Sequence, residues 1–119
     1  MKKDVNPSVL DHCIFIADNY RYERIRKTDI LFVAANGAYV DIYTAGKRYS
    51  LSTNLGNFVS QVQGPELVRV SRSHVVNLHH VESVQGNTIF IQQYTITVSK
   101  PFRQHFLSLL PIIRTKAAE

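Results

Sequence analysis

Short apolar segments alternate with turn-forming residues along this sequence, and this pattern limits the folds that the chain can adopt. Residues 30–35 form one apolar segment, and the alternating segment 38–44 follows it after Asn36-Gly37. Asn-Gly between two such segments is a strong β-hairpin signal, because both residues tolerate a positive φ. Similar segments recur about every 8–12 residues, a spacing typical of antiparallel β proteins. The sequence therefore predicts a mainly β fold.

Two amphipathic segments interrupt the strands. Asn54 precedes apolar residues at helical spacing, which predicts a helix over 54–62 that ends before Gly64-Pro65. Ser99 is predicted to cap a second helix, with Pro101 in its first turn, where the missing N–H has no consequence. The other segments are predicted as strands at 12–16, 20–25, 30–35, 38–44, 47–51, 81–84, 88–91 and 94–98, with two more on either side of 71–74.

The length and composition indicate a single cytoplasmic domain. A chain of 119 residues with 45% hydrophobic residues can bury one core. The apolar runs are far shorter than the roughly 20 residues of a membrane helix. We predict a leader at 1–11, a domain at 12–110 and a tail at 111–119. Because Cys13 is the one cysteine, no internal disulfide can form, and we interpret it as a buried, inert thiol.

Positive charge is concentrated in the second part of the chain. Residues 1–41 hold six Lys/Arg and six Asp/Glu, which cancel. Residues 42–119 hold eight Lys/Arg and three Asp/Glu, and 8 − 3 gives the whole net charge of +5. Between Arg69 and Lys116 the one acidic residue is Glu82. This asymmetry indicates an anionic partner.

A polar segment lies between buried valines inside this basic region. Ser71-Arg72-Ser73-His74 has no glycine or proline, although an ordinary hairpin turn favours them. Such a segment can present Arg, Ser and His side chains to a ligand. Arginine is suited to guanine, because its planar fork donates two hydrogen bonds to one base edge.

The sequence does not support catalysis, metal binding or a cofactor. It has no nucleophile-elbow, phosphate-loop or zinc-protease motif, and no acidic residue lies near His74 in sequence. His79 and His80 are separated by strand alternation, and no Cys or Asp accompanies them. We therefore predict no enzymatic activity, no small-molecule substrate, and no cofactor or metal. Helix-based DNA reading is disfavoured too, because the 54–62 helix has no positive charge.

Three motifs, in order, resemble the LytTR family of bacterial DNA-binding domains, the output domains of two-component response regulators. Residues 30–40 are similar to the opening strand pair of the family. Residues 69–78, followed by Val81 and Val84, are similar to its most specific block. Val98-Ser99-Lys100 before an amphipathic helix is similar to its closing signature. Ser71 stands where the family commonly has histidine, and Lys100 stands where arginine is usual.

The resemblance implies a compact fold of three small, mostly antiparallel β-sheets with flanking helices. It implies a transcription regulator that binds double-stranded DNA sequence-specifically, through loops that enter successive major grooves. The DNA is expected to carry direct repeats upstream of promoters, with a second copy of the domain on the adjacent repeat. On this reading Arg72 and Lys100 contact bases, and Asn36 and Tyr39 contact DNA from the hairpin. The expected phosphate contacts are Arg69, Ser73, His74 and Arg103.

The residues alone leave two other functions open. A small β domain for protein interaction could use the tyrosines as its contact face: Tyr20, Tyr22, Tyr39, Tyr43 and Tyr49. A binder of single-stranded nucleic acid could stack bases on tyrosines along a basic groove. Asn77, although it lies in the most specific block, is predicted to have a structural role, with its side chain bound to the backbone of the turn into His79-His80.

Overall fold

The chain is mainly β, as predicted. A computed structural model describes residues 12–18, 20–62 and 64–116. The predicted leader at 1–11 lies outside these ranges. The strands are β1 (Cys13–Asp18), β2 (Arg21–Arg26), β3 (Ile30–Asn36), β4 (Tyr39–Thr44), β5 (Arg48–Leu51), β6 (Leu67–Arg69), β7 (His74–Asn77), β8 (Ser83–Gln85), β9 (Thr88–Ile91) and β10 (Tyr94–Thr97). The α-helices in the described ranges are α1 (Leu55–Gln61) and α2 (Lys100–Ser108).

The strands form three sheets in which every pair is antiparallel. The first sheet is the β1–β2 hairpin, the central sheet has the order β5-β4-β3-β7-β6, and the third sheet has the order β10-β9-β8. This confirms the predicted fold of three small antiparallel sheets with two short helices. In the described part of the chain, neither helix is long and apolar enough to span a lipid bilayer.

The predicted hairpin at Asn36-Gly37 joins β3 to β4. Asn36 pairs with Tyr39, so the two central residues of the turn are Gly37 and Ala38. Gly37 has a φ of +60°, while Ala38 has a negative φ. A positive φ at the first central position alone is the pattern of a type II′ turn, which favours glycine there. Asn36 consequently ends the strand rather than occupying the turn, and its side chain belongs to a face of the central sheet.

Both faces of the central sheet are covered, and each cover forms a hydrophobic core. The first core joins the central sheet to the third sheet and α2, with Phe32, Val76, Ile89 and Phe106 among its buried members. The second core joins the opposite face to the β1–β2 hairpin and α1. Its buried members are Ile16, Ile25, Ile30, Val33, Val40, Ile42, Leu55, Phe58 and Val75. The molecule therefore has three layers, with the central sheet in the middle.

A β-bulge in β3 decides which side chain enters which core. The pairing with β4 shifts between Ile30 and Phe32. Leu31 and Phe32 both belong to the first core, whereas Ile30 and Val33 belong to the second. The extra residue thus reverses the alternation of side chains along β3.

The two helices begin differently. Asn54 caps α1, because its side-chain oxygen accepts a hydrogen bond from the backbone N–H of Asn57 at 2.8 Å. Ser99 occupies the N-cap position of α2, as predicted, but its side chain makes no capping hydrogen bond. Its hydroxyl instead points to the carbonyl oxygen of Val70, at 3.4 Å, and its backbone N–H donates to the same oxygen at 2.9 Å. These contacts attach the start of α2 to the end of β6.

Strand directions place the polar groups of the central sheet at two distinct ends. We name the end with Asn36, Tyr39 and the β6–β7 loop the loop end. The other end, with Ile30, Arg48 and Asn77, we name the closed end. The register that pairs Ile30 with Thr44 and Asn36 with Tyr39 defines the two.

Asn77 binds three backbone groups at the closed end, and the predicted structural role is confirmed. Its side chain is fully buried, and the amide nitrogen donates to the carbonyl oxygens of Lys27 and Ile30 at 3.0 and 2.9 Å. Its amide oxygen accepts from the backbone N–H of His79 at 2.9 Å, in the turn where the bond was predicted. The ring of His80 lies 2.6 Å from the carbonyl oxygen of Thr28.

Candidate nucleic-acid interface

The β6–β7 loop is held by an arginine rather than by turn residues. The Nε of Arg69 donates to the carbonyl oxygen of Ser71 at 3.1 Å, and its Nη2 donates to that of Arg72 at 2.8 Å. Val70 is fully buried and its N–H donates to the carbonyl oxygen of His74 at 3.0 Å. The loop is therefore held by the Val70–His74 backbone hydrogen bond at its base and by the Arg69 side chain, although it contains no glycine.

Two neighbouring segments lie against this loop. The backbone N–H of Ala35, at the end of β3, donates to the carbonyl oxygen of Ser73 at 2.8 Å. On the other side, the N–H of Ser99 donates to the carbonyl oxygen of Val70 at 2.9 Å. The structure thus brings together the three segments that sequence analysis singled out: the β3–β4 hairpin, the β6–β7 loop and the start of α2.

Arg72 and Lys100 are the cations of this region whose charged groups bind no other described residue. Both side chains are exposed. Within the residues that the structure describes, neither has a hydrogen bond or an ion pair with another side chain. Exposed charges without partners on adjoining segments can meet an anionic ligand without first breaking an internal contact.

Arg69 and Arg103 are cations of a different kind. The guanidinium of Arg69 is bound to the loop carbonyls. Arg103, on α2, donates from Nε to the side-chain oxygen of Asn87 and from Nη2 to the carbonyl oxygen of Gly86, both at 2.9 Å. Arg103 therefore fastens α2 to the β8–β9 turn, and both arginines are already engaged inside the protein.

His74 lies at the base of the loop with its ring against Phe32. The two ring centroids are 6.3 Å apart, and Nδ1 lies 3.4 Å from the hydroxyl oxygen of Ser71. Burial lowers the pKa of His74 below its usual 6.5, because the imidazolium loses hydration. Burial thus favours the neutral ring, which offers one donor and one acceptor nitrogen. Ser73 is exposed beside it, with its N–H bound to the hydroxyl of Ser71 at 3.2 Å.

The β3–β4 hairpin contributes two exposed side chains at the loop end. Tyr39 is about half exposed, and Asn36 is exposed at the end of β3. The amide nitrogen of Asn36 donates to Asp41 at 3.0 Å, and the hydroxyl of Ser50 donates to the other oxygen of Asp41 at 2.6 Å.

Asp41 and Ser50 were not among the predicted site residues. Alternation along β4 did place Asp41 on the same face as Tyr39 and Tyr43. It did not indicate that this face is covered or that the carboxylate is almost fully buried, at 2% exposure. A charged residue within an otherwise apolar strand was the available signal.

The predicted tyrosine face is not one surface. Tyr20 and Tyr22 are highly exposed in the β1–β2 hairpin and its turn. Tyr43 instead stacks on Phe32 with a centroid separation of 4.3 Å, and Tyr49 donates to Glu23 at 3.3 Å.

Among the described residues, no three His, Cys, Asp or Glu side chains are grouped so that they could hold a metal ion.

Comparison with known proteins identifies the family. Residues 20–110 match the model of the LytTr DNA-binding domain. The chain belongs to the LytTR family of DNA-binding domains. The family model includes the whole loop end, from Asn36 to Lys100.

Two relatives illustrate the range of similarity. The sensory transduction protein LytR of Staphylococcus haemolyticus is 26% identical over 85 residues, which cover 71% of this chain and 33% of that protein. The chain thus spans about a third of the length of that relative. A solved LytTr DNA-binding domain from Bacillus cereus superposes with a TM-score of 0.70 at 14% identity, over 85% of this chain and 98% of the other. This second similarity shows the shared fold.

Proposed function

We propose that the domain binds double-stranded DNA sequence-specifically and regulates transcription in a bacterium, as the output domain of a response regulator. The loop end is proposed as the reading surface, with its segments entering successive major grooves. The observation that carries this proposal is that Arg72 and Lys100 lie on adjoining segments and that their charged groups have no partner among the residues that the structure describes. The DNA partner is proposed to contain direct repeats upstream of a promoter, each bound by one copy of the domain.

The contacts divide into base readers and phosphate contacts. Arg72 can donate two hydrogen bonds to the O6 and N7 of a guanine, and we assign it as the principal base reader. Lys100 carries a compact charge rather than a fork, so its discrimination between bases is weaker. Ser73, His74 and Tyr39 are assigned to the DNA backbone, where hydroxyl and imidazole groups fix the register of the protein.

We revise the predicted roles of Arg69 and Arg103. Their guanidinium groups are bound to carbonyl and amide oxygens of the protein, so a phosphate contact would use the N–H groups that remain. We propose that both act mainly by holding the β6–β7 loop and the β8–β9 turn in place. Their positive charge still adds to the potential around the loop end.

A titration at two salt concentrations tests the function. The protein is titrated with a mixed-sequence duplex, with a duplex containing its selected site, and with single-stranded DNA. The proposal predicts preference for duplex and a log–log salt slope of about −4 to −7, if about five to eight phosphates are neutralised. Absence of duplex binding at low salt, or a preference for the single strand, would contradict it.

A second candidate function has support from the β1–β2 hairpin. Its outward face carries Phe15, which is 59% exposed, and Tyr22, which is 78% exposed, beside the exposed Arg24. Exposed aromatic rings next to arginine are typical of protein interfaces, so a protein-interaction role is the alternative. The same titration separates the two functions, because an interaction module would not bind duplex DNA.

A further inference from the structure

Three polar side chains form a row across three strands at the loop end. Asn36 lies on β3, Asp41 on β4 and Ser50 on β5, and the strand register places all three on the face of the first core. The side-chain nitrogen of Asn36 donates to one oxygen of Asp41, and the hydroxyl of Ser50 donates to the other. Asp41 is buried, while Asn36 is exposed at the outer end of the row.

This row determines which way the Asn36 amide faces. The two ends of an asparagine amide differ chemically, since nitrogen donates and oxygen accepts. One carboxylate oxygen of Asp41 accepts the hydrogen bond from the Ser50 hydroxyl at 2.6 Å. The other oxygen accepts the hydrogen bond from the side-chain nitrogen of Asn36. A flipped amide would place two acceptor oxygens together. The oxygen of Asn36 is therefore directed away from Asp41, and the amide keeps a second N–H that does not bind this carboxylate oxygen.

In the part of the chain that the structure describes, this outward pair has no protein partner. Among these residues, the one hydrogen bond of the Asn36 side chain is that with Asp41. A donor and an acceptor side by side on one planar group can form two hydrogen bonds with the major-groove edge of one type of base, adenine. Adenine presents a donor at N6 next to an acceptor at N7, whereas guanine presents two acceptors there.

We propose that Asn36 reads an adenine in the major groove, and that Asp41 and Ser50 are positioning residues that orient its amide. This inference rests on the proposed function, since it names the base that one residue of the loop end selects. The site would then read two different bases, a guanine through Arg72 and an adenine through Asn36. The hairpin and the β6–β7 loop are joined through Ala35 and Ser73, so both bases belong to one binding site.

The experiment uses duplexes in which adenines are altered one at a time. A high-affinity duplex is first selected from random sequence with the unmodified protein. Each adenine is then replaced by 7-deazaadenine, which keeps base pairing and N6 but lacks the N7 acceptor. We expect a loss of affinity of about 3- to 10-fold at one adenine, because a single hydrogen bond is removed.

The Asn36→Ala variant shows whether Asn36 is the reader. With this variant the same 7-deaza substitution should have no further effect, and selection should return any base at that position. Affinity for the original duplex should fall by roughly 5- to 150-fold. Asn57→Ala is the matched control, since Asn57 is exposed on α1 and its side chain makes no hydrogen bond among the described residues.

The Ser50→Ala variant tests the positioning role without removing the buried carboxylate. It should relax the preference for adenine while leaving the effect of Arg72→Ala and the salt slope unchanged. Unaltered adenine preference in both the Asn36 and Ser50 variants, with duplex binding intact, would overturn this inference and leave the proposed function standing. Failure of the unmodified protein to bind any duplex would overturn both.

Discussion

The two ends of the central sheet both carry basic residues, and they differ in the partners of their exposed cations. At the closed end, the Nζ of Lys47 lies 3.7 Å from Glu23 and 4.7 Å from the ring centre of Tyr49. Arg48 donates to the Tyr43 hydroxyl at 3.3 Å, and this hydrogen bond raises the pKa of Arg48. At the loop end, Arg72 and Lys100 have no such partners within the described residues. Lys47 and Arg48 are thus bound within the protein, whereas the charged groups of Arg72 and Lys100 have no partner among the described residues and are available to the proposed DNA ligand.

The largest expected effect concerns stability at the closed end. Asn77→Ala removes the partner of two carbonyl oxygens and one N–H in a fully buried setting. We expect the free energy of unfolding to fall by roughly 3 kcal/mol, because unpaired buried polar groups are costly. Chemical denaturation measures this loss. Asn57→Ala, on the surface of α1, should change stability by less than about 0.5 kcal/mol.

If the two ends are functionally distinct, the folded fraction of the Asn77→Ala protein should bind duplex DNA with unchanged affinity. A large loss of DNA affinity per folded molecule would remove the distinction between a reading end and a structural end.

The next effect concerns binding at the loop end. Arg72→Ala should weaken binding to the selected duplex by about 1–3 kcal/mol and relax base choice at one position. Stability should remain nearly unchanged, because the Arg72 side chain has no hydrogen bond or ion pair with any of the described residues. Isothermal titration and selection from random duplexes provide the two measurements.

Arg48→Ala is the matched control for Arg72, since it removes an exposed arginine from the closed end. Its effect should be smaller, alike for all DNA sequences, and weaker at high salt. Equal losses in the two variants would mean that net charge, rather than its position, controls binding.

An intermediate effect is expected where an arginine is bound to the protein. Arg69→Gln removes two hydrogen bonds from the β6–β7 loop and should lower the free energy of unfolding by about 1 kcal/mol. Amide hydrogen exchange in the loop should become faster. In Arg103→Gln the faster exchange should appear at the β8–β9 turn instead, because Arg103 binds Gly86 and Asn87. Unchanged loop exchange in Arg69→Gln would show that Arg69 does not hold the loop.

The smallest effect is a pH dependence at His74. Burial lowers the pKa of this histidine in the folded state, so the unfolded chain binds the proton more readily. The free energy of unfolding should therefore decrease as pH falls below the unfolded-state pKa of 6.5. His74→Gln should reduce this slope, measured by denaturation from pH 7.5 to 5. A slope identical to that of the unmodified protein would contradict a contribution from His74.

Local pattern was sufficient for the strands, the helices and the hydrogen bond between Asn77 and His79, because each depends on residues close in sequence. The bonds from Asn77 to Lys27 and Ile30 span 50 and 47 residues and could not be predicted in this way. The Asn36-Gly37 signal located the hairpin, with the turn centred one residue later. The partners of Arg103 could not be predicted, because Asn87 is 16 residues away and approaches only after α2 packs on the third sheet. The hydrogen bonds of Asp41 with Asn36 and Ser50 likewise form only after β3, β4 and β5 pair. Sequence identifies candidate cations, and tertiary contacts decide which remain available.

The bulge at Leu31 has a consequence for how such a domain can change over evolution. The bulge decides which face of the sheet each side chain of β3 occupies. An insertion or deletion of one residue in this strand would therefore move the side chains that follow it into the opposite core. It would also turn Asn36 to the opposite face, away from Asp41. Replacing side chains at the loop end leaves this alternation intact, whereas a change of length in the middle strand would disturb both cores and the contact between Asn36 and Asp41.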